Sequence, residues 1–229
     1  MTWLGRRTER AAAAAVVATA SVAIACAVGQ GNGHVTGSFV IPLCGKDLSS
    51  YDMQPNFFAA DPAISAHSTD AQLVIRVQNG GGTAEYADAL FIAVQDTDAV
   101  NAAIQADTTD ATPSATFDIE LERPPGSPVG LPAPPVRMSL SLQGTCGSGL
   151  FDPGNAGGTA LNAVSGKITF TSILHGPLDS RDTNAKRITG SFNNVVLEDP
   201  RTPGQGDSGT ISGDFDFFFQ FGGPAQAFP

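Results

Sequence analysis

Strict alternation of apolar and polar side chains marks the most readable stretches of this chain. Phe117, Ile119 and Leu121 alternate with Asp118, Glu120 and Glu122, and Val136, Met138, Leu140 and Leu142 alternate with Arg137, Ser139 and Ser141. Successive side chains of a strand point to opposite faces, so a period of two predicts half-buried strands over both runs. Near the C-terminus, Phe215, Phe217, Phe219 and Phe221 fall on one parity against Asp214, Asp216 and Gln220, with Phe218 as an apolar intruder on the polar face. That strand is expected at the centre of the core, since each buried Phe contributes roughly 1.5–3 kcal/mol.

Shorter runs at 38–43, 72–78, 89–95, 167–174 and 187–197 extend the pattern. Clusters of Gly, Pro, Asn, Asp and Ser at 79–82, 124–135, 152–158 and 199–209 punctuate them as turns and loops. Regularly spaced strands with such punctuation predict an all-β fold, an antiparallel β-sandwich with long Pro/Gly-rich loops. One short helix is expected over Ala99 to Ala106, capped by Asp98, with Val100 and Ile104 one turn apart. The run RPPGSPVGLPAPP from Arg123 to Pro135 reads as a stiff loop crossing one end of the sandwich.

The N-terminus follows a different logic. Arg6, Arg7 and Arg10 precede the uncharged stretch Ala11 to Ala25, the layout of a signal peptide over residues 1–25. This apolar stretch is short and alanine-rich, whereas a spanning helix needs roughly 20 strongly apolar residues. The sequence Val22-Ala23-Ile24-Ala25-Cys26 resembles the lipobox of bacterial lipoproteins. The resemblance implies that Cys26 receives a diacylglycerol, becomes the mature N-terminus and ties the protein to a membrane. Ala23 stands where that family usually has leucine, and Ala23-Ile24-Ala25 also fits the A-x-A pattern of ordinary secretory cleavage, which leaves Cys26 unmodified. The ending GDFDFFFQFGGPAQAFP is similar to the C-termini of uncharacterised bacterial lipoproteins, whose last strand runs into a short proline-containing tail. Residues 26–37, with four glycines, read as a flexible tether, and 38–229 as a single β-sandwich domain.

Three cysteines in an exported protein leave one to explain. Cys44 and Cys146 lie at the ends of strand-like runs, and a bridge between them with Cys26 acylated uses all three. Two buried free thiols are the alternative. No C-x-x-C or close Cys/His spacing points to metal ligation.

Removing residues 1–25 takes three of the 12 basic and one of the 22 acidic residues, moving the formal charge from −10 to −12. Such a field repels nucleic acid and anionic lipid, so nucleic-acid binding is excluded. An outer-membrane barrel would repeat its alternation around the whole chain, whereas here it is limited to a few segments.

Chemistry is sparse. His34, His67 and His175 sit in the tether or beside turn residues, and no nucleophile-and-base arrangement can be read locally, so no catalytic residue is assigned. The acidic rows Asp118, Glu120, Glu122 and Asp214, Asp216 are the solvated faces of strands. Asp179, Asp182 and Asn184 within DSRDTN form the candidate metal loop, with calcium as the cofactor an oxygen-rich loop would select. The expectation is an exported protein, lipid-anchored to the outer membrane of a bacterial cell envelope, with a binding or structural role. Its partner would be a protein or a glycan. A secreted carbohydrate- or calcium-binding domain is the rival and an envelope hydrolase comes third. Sugar stacking would depend on Tyr51, Tyr86 or an exposed Phe, because Trp3 leaves with the signal.

Overall fold

Period-two patterning becomes ten strands in the computed structural model, which describes residues 28–62, 73–80, 87–109, 111–119, 136–146, 160–175, 186–200, 204 and 206–219. In chain order they are β1 (Val28–Val40), β2 (Leu48–Met53), β3 (Phe57–Pro62), β4 (Leu73–Asn79), β5 (Asp88–Val94), β6 (Ala115–Asp118), β7 (Val136–Leu142), β8 (Ala160–Ser172), β9 (Arg187–Glu198) and β10 (Ser208–Phe218). Helix α1 (Thr97–Ala106) follows β5, and a four-residue α2 (Gln143–Cys146) follows β7.

All ten strands join one sheet, and its ladders are antiparallel. Eight of them close into a ring. β1 pairs with β10, and the path continues through β9, β8, β7, β5, β4 and β3, returning to β1 at Val28↔Ala59 and Gly29↔Phe58. β2 pairs with β1 beyond β3, and β6 pairs with β8 beyond β7. The expected all-β antiparallel fold is therefore present, with its two faces joined into one curled sheet. Closure pairs backbone edges that would otherwise recruit other chains.

The ring has two unlike walls. The short wall, β3, β4, β5 and β7, turns an aliphatic face inward: Leu73, Ile75 and Val77 against Leu90, Ile92, Val94, Met138 and Leu140, all buried. The long wall, β1, β10, β9 and β8, alternates glycine with large apolar residues. Across the β1–β10 ladder Gly31 faces Phe217, Gly33 faces Phe215, Val35 faces Gly213, Gly37 faces Ile211 and Phe39 faces Gly209. A Cβ at Gly33 would lie 2.8 Å from the Asp214 carbonyl oxygen, and one at Gly213 would run into the His34 carbonyl. The space left by the missing side chains is taken by rings. Phe217 stacks on Phe58 of the short wall at 5.3 Å, and Phe215 packs against Phe170 and Phe217 at 6.3 and 6.4 Å. Phe58, Phe170, Phe215 and Phe217 are fully buried, so aromatic rings span the interior between the walls.

Three sequence expectations need correction. The segment 28–37 is not a tether but the first ten residues of β1, so the β-domain begins before residue 38. Its glycines are there for close strand contact, not for flexibility. The helix starts two residues earlier than expected and its cap is Asp96, whose side chain accepts from the Ala99 N–H at 2.8 Å; Asp98 lies in the first turn, where its charge suits the helix dipole. Val100 and Ile104 are buried as expected. A second helix, α2, was not foreseen, because four residues leave no periodicity to read.

Cys44 and Cys146 form a disulfide, with their Cα atoms 4.8 Å apart and a sequence separation of 102. It joins a 3-10 turn (Pro42–Cys44) after β1 to the end of α2. Residues 1–25, read above as a signal peptide, Cys26, residues 124–135, read as a loop, and Phe221 lie outside the described residues.

Candidate functional site

An eight-strand ring can hold a small ligand or be filled by its own side chains, and the buried rings here take the second course. Chemistry must then be sought on the outside. The outward parity of the long wall carries short polar residues: Thr36 and Ser38 on β1, Thr210 and Ser212 on β10, Thr189 and Ser191 on β9, Thr169 on β8. Cross-strand register sets them side by side, as Thr36↔Ser212, Ser38↔Thr210 and Ser191↔Thr169. An apolar interior with this hydroxylated exterior is the reverse of an outer-membrane barrel, which faces lipid with an apolar band.

Two irregularities turn part of this wall into a groove. Between Ile211 and Gly213 the ladder to β9 slips, so that Asn193 and Asn194 together oppose Ser212. Asn194 adopts a left-handed backbone (φ 51°), and its N–H donates to the Ser212 hydroxyl at 2.9 Å while that hydroxyl donates to Asn193 Oδ1 at 2.9 Å. The Ser212 side chain thus stands in for a lost ladder bond. A second shift, between Gly37 and Phe39, is a bulge in β2 that sets Ser49 and Ser50 together opposite Ser38. Between the two lies an open groove of about 360 Å³ lined by Thr36, Ser38, Ser50, Asp52, Asn194, Thr210 and Ser212, among others. Its hydroxyls both donate and accept, which suits a neutral polar ligand. At one end the Asp52 carboxylate meets His34 Nε2 at 2.9 Å and accepts from Gln54 at 3.1 Å.

Beside the disulfide sits a buried carboxylate. Asp88 accepts from the Tyr51 hydroxyl at 3.1 Å, from the Thr145 N–H at 2.8 Å and from the Thr145 hydroxyl, and Lys46 donates to the Thr145 carbonyl. Burial, and next the nearby Asp88 charge, push the Tyr51 phenol well above its ordinary value. Phe39 packs edge-on against the Tyr51 ring at 5.3 Å. With three donors spent on one carboxylate, this cluster clamps α2 onto β5 and β2; that is a structural task.

The sequence candidates disperse. Asp179, Asp182 and Asn184 lie outside the described residues, as do His67, Tyr86, Glu120 and Glu122. Asp118 pairs with Lys167 at 2.8 Å, and Asp216 accepts two bonds from Arg187 at 2.9 and 2.7 Å and one from Thr189 at 2.8 Å. The second and third Asp216 partners leave it little to offer a substrate. His175 bonds the Ile173 carbonyl through Nδ1 at 2.8 Å. Tyr51 is 6% exposed, which removes it as a stacking platform for a sugar. Among the described residues no three His, Cys, Asp or Glu side chains converge as metal ligands would. No described helix is long and apolar enough to cross a membrane.

The groove itself was not foreseen. Its one sequence signal is the Asn193-Asn194 pair inside an otherwise strand-like run, since Asn tolerates the left-handed region that a bulge requires. Comparison of the chain with protein-family models, with curated proteins and with solved structures finds no match.

Proposed function

We propose that this chain is an exported cell-envelope protein, anchored by lipid at Cys26, whose ring of strands serves as a rigid binding or structural module. The observation that carries the reading is the Cys44–Cys146 disulfide. Bridges of this kind persist in oxidising compartments, and this one leaves Cys26 as the single cysteine without a bonded partner in a chain that has three. Cys26 follows an uncharged run preceded by Arg6, Arg7 and Arg10, which supports export and cleavage next to it. The closed sheet supports a module that stays monomeric at its edges, and the groove on the long wall supplies the face on which a neutral polar partner would be met.

Fractionation of cells expressing the full chain tests this. The native protein is expected in the membrane fraction and the Cys26→Ala protein in the soluble envelope fraction, both with the 44–146 bridge intact. Equal partition of the two would remove the anchor. A second reading, a secreted glycan-binding domain, has the hydroxyl-lined groove in its favour. It predicts retention on a glycan column that is lost on Ser50→Arg and unaffected by Cys26→Ala.

A further inference from the structure

We infer that the anchored protein stands with one end of its ring pressed against the lipid headgroups, the end at which β1 begins, and that the grooved end points away. This rests on the reading of Cys26 as the lipid-bearing residue. Strand pairing starts at Val28, two residues after Cys26: Val28↔Ala59 and Gly29↔Phe58 on one side, Gln30↔Phe218 on the other. An extended chain spans at most about 3.6 Å per residue, so the lipidated residue can lie no more than about 7 Å from a strand locked on both edges. A protein with a long tether could turn freely above the bilayer; this one has no such length.

The rim that this leash brings to the membrane carries an interfacial pair. Among the described residues, the large apolar side chains left exposed are Phe218, at this end, and Val40, at the other. The Arg187 guanidinium lies 5.7 Å from the centre of the Phe218 ring and is held there by its paired bonds to Asp216. An exposed ring beside a cation fits the headgroup level, where aromatic side chains insert and Arg meets phosphate. The contact adds to what the acyl chains supply and fixes orientation. Val40 lies ten residues along β1 from Gln30, the register partner of Phe218, roughly 34 Å away at about 3.4 Å per residue, beside the disulfide and the groove. The groove is thereby presented to whatever approaches from the far side.

The mature chain has no tryptophan, because Trp3, the one in the sequence, lies in the leader. Phe218→Trp and Val40→Trp therefore each give a single-reporter protein. Both are to be expressed as full chains, extracted with their lipid and reconstituted into phosphatidylcholine vesicles with brominated acyl chains. The F218W protein is expected to lose a large share of its emission to the bromine and to shift to the blue, and the V40W protein to lose almost none. Inserting a ten-residue Gly/Ser segment between Ala27 and Val28 is expected to release the F218W signal from quenching while leaving the lipid in place. If F218W disturbs packing, a bromine-sensitive Trp placed at Gln30 by Gln30→Trp reports the same rim. Equal quenching of the two ends, or none at either, in protein whose mass shows the lipid overturns the orientation and leaves the Cys26 reading standing. A mass without lipid overturns both.

Discussion

The two walls of the ring solve one packing problem in different ways. The short wall fills its share of the interior with aliphatic side chains of similar size, such as Ile75, Leu90, Ile92 and Leu140, and backs them with Ala59, Ala89 and Arg76, whose guanidinium lies 4.7 Å over the Phe57 ring. The long wall gives up one side chain in each inward pair of β1 and β10 and lets Phe215 and Phe217 fill the space. Many small contributions hold the first together, and a few large ones the second. Close approach of β1 and β10 also leaves the outer surface to short hydroxylated residues and to bulges, and there the groove lies. The wall with the sparser interior is the one with the more distinctive exterior.

Single substitutions should therefore divide by wall. The largest effect is expected from Phe217→Ala, a loss of about 3–5 kcal/mol in urea unfolding, against about 0.5–1.5 kcal/mol for Ile92→Val on the short wall. Phe217 loses its stacking partner across the ring as well as its volume. A loss at Phe217 no larger than the loss at Ile92 would erase the contrast.

Next in size is the disulfide, which ties the end of the long β1 to α2, clamped on the short wall. Replacing both Cys44 and Cys146 by Ala is expected to cost about 2–5 kcal/mol, since the bridge closes a loop of about 100 residues. Thermal unfolding of native and doubly substituted protein under identical conditions measures it.

Gly213→Ala sharpens the comparison from the opposite direction. Alanine has the better strand propensity, yet its Cβ would collide with the His34 carbonyl and crowd Phe192, so a loss of about 1–3 kcal/mol is expected. Stabilisation instead would mean that β1 and β10 are not so closely apposed.

The smallest effect lies on the outer surface of the long wall. The paired hydrogen bonds from Arg187, and further the one from Thr189, hold the Asp216 carboxyl below its ordinary value of 3.8. A lowered carboxyl contributes stability above its unfolded value and loses it as pH falls through the folded one. Both partners are partly exposed, so solvent screening limits the contribution to about 1 kcal/mol or less. Asp216→Asn should therefore flatten the decline of stability below about pH 4 and leave the rest of the profile little changed, as read by unfolding across pH.

The walls also differed in how plainly the sequence spoke. Strands β4, β5 and β7 were legible almost to the residue because their inner positions are uniformly aliphatic and their outer ones mostly are not. In the long wall, glycine stands where an apolar residue would mark the inner face, so the first ten residues of β1 read as a tether. A cue was nonetheless present: glycines 29, 31, 33 and 37 share one parity with Val35 and Phe39. Strand β2 hid for another reason, since the bulge at Gly37/Phe39 breaks its period, and β3 is apolar on both faces. The 44–146 bridge was legible from cysteine arithmetic alone, whereas the groove was not. Its hydroxyls come from strands far apart in sequence and look, one strand at a time, like ordinary solvated faces.

The proposed anchoring at Cys26 would give all of this its cellular meaning, and the intact mass of protein extracted from membranes tests it most directly. The account predicts a chain that begins at Cys26 and carries a diacylglycerol. The mass of an unmodified chain beginning at Cys26 or at Val28 would contradict it.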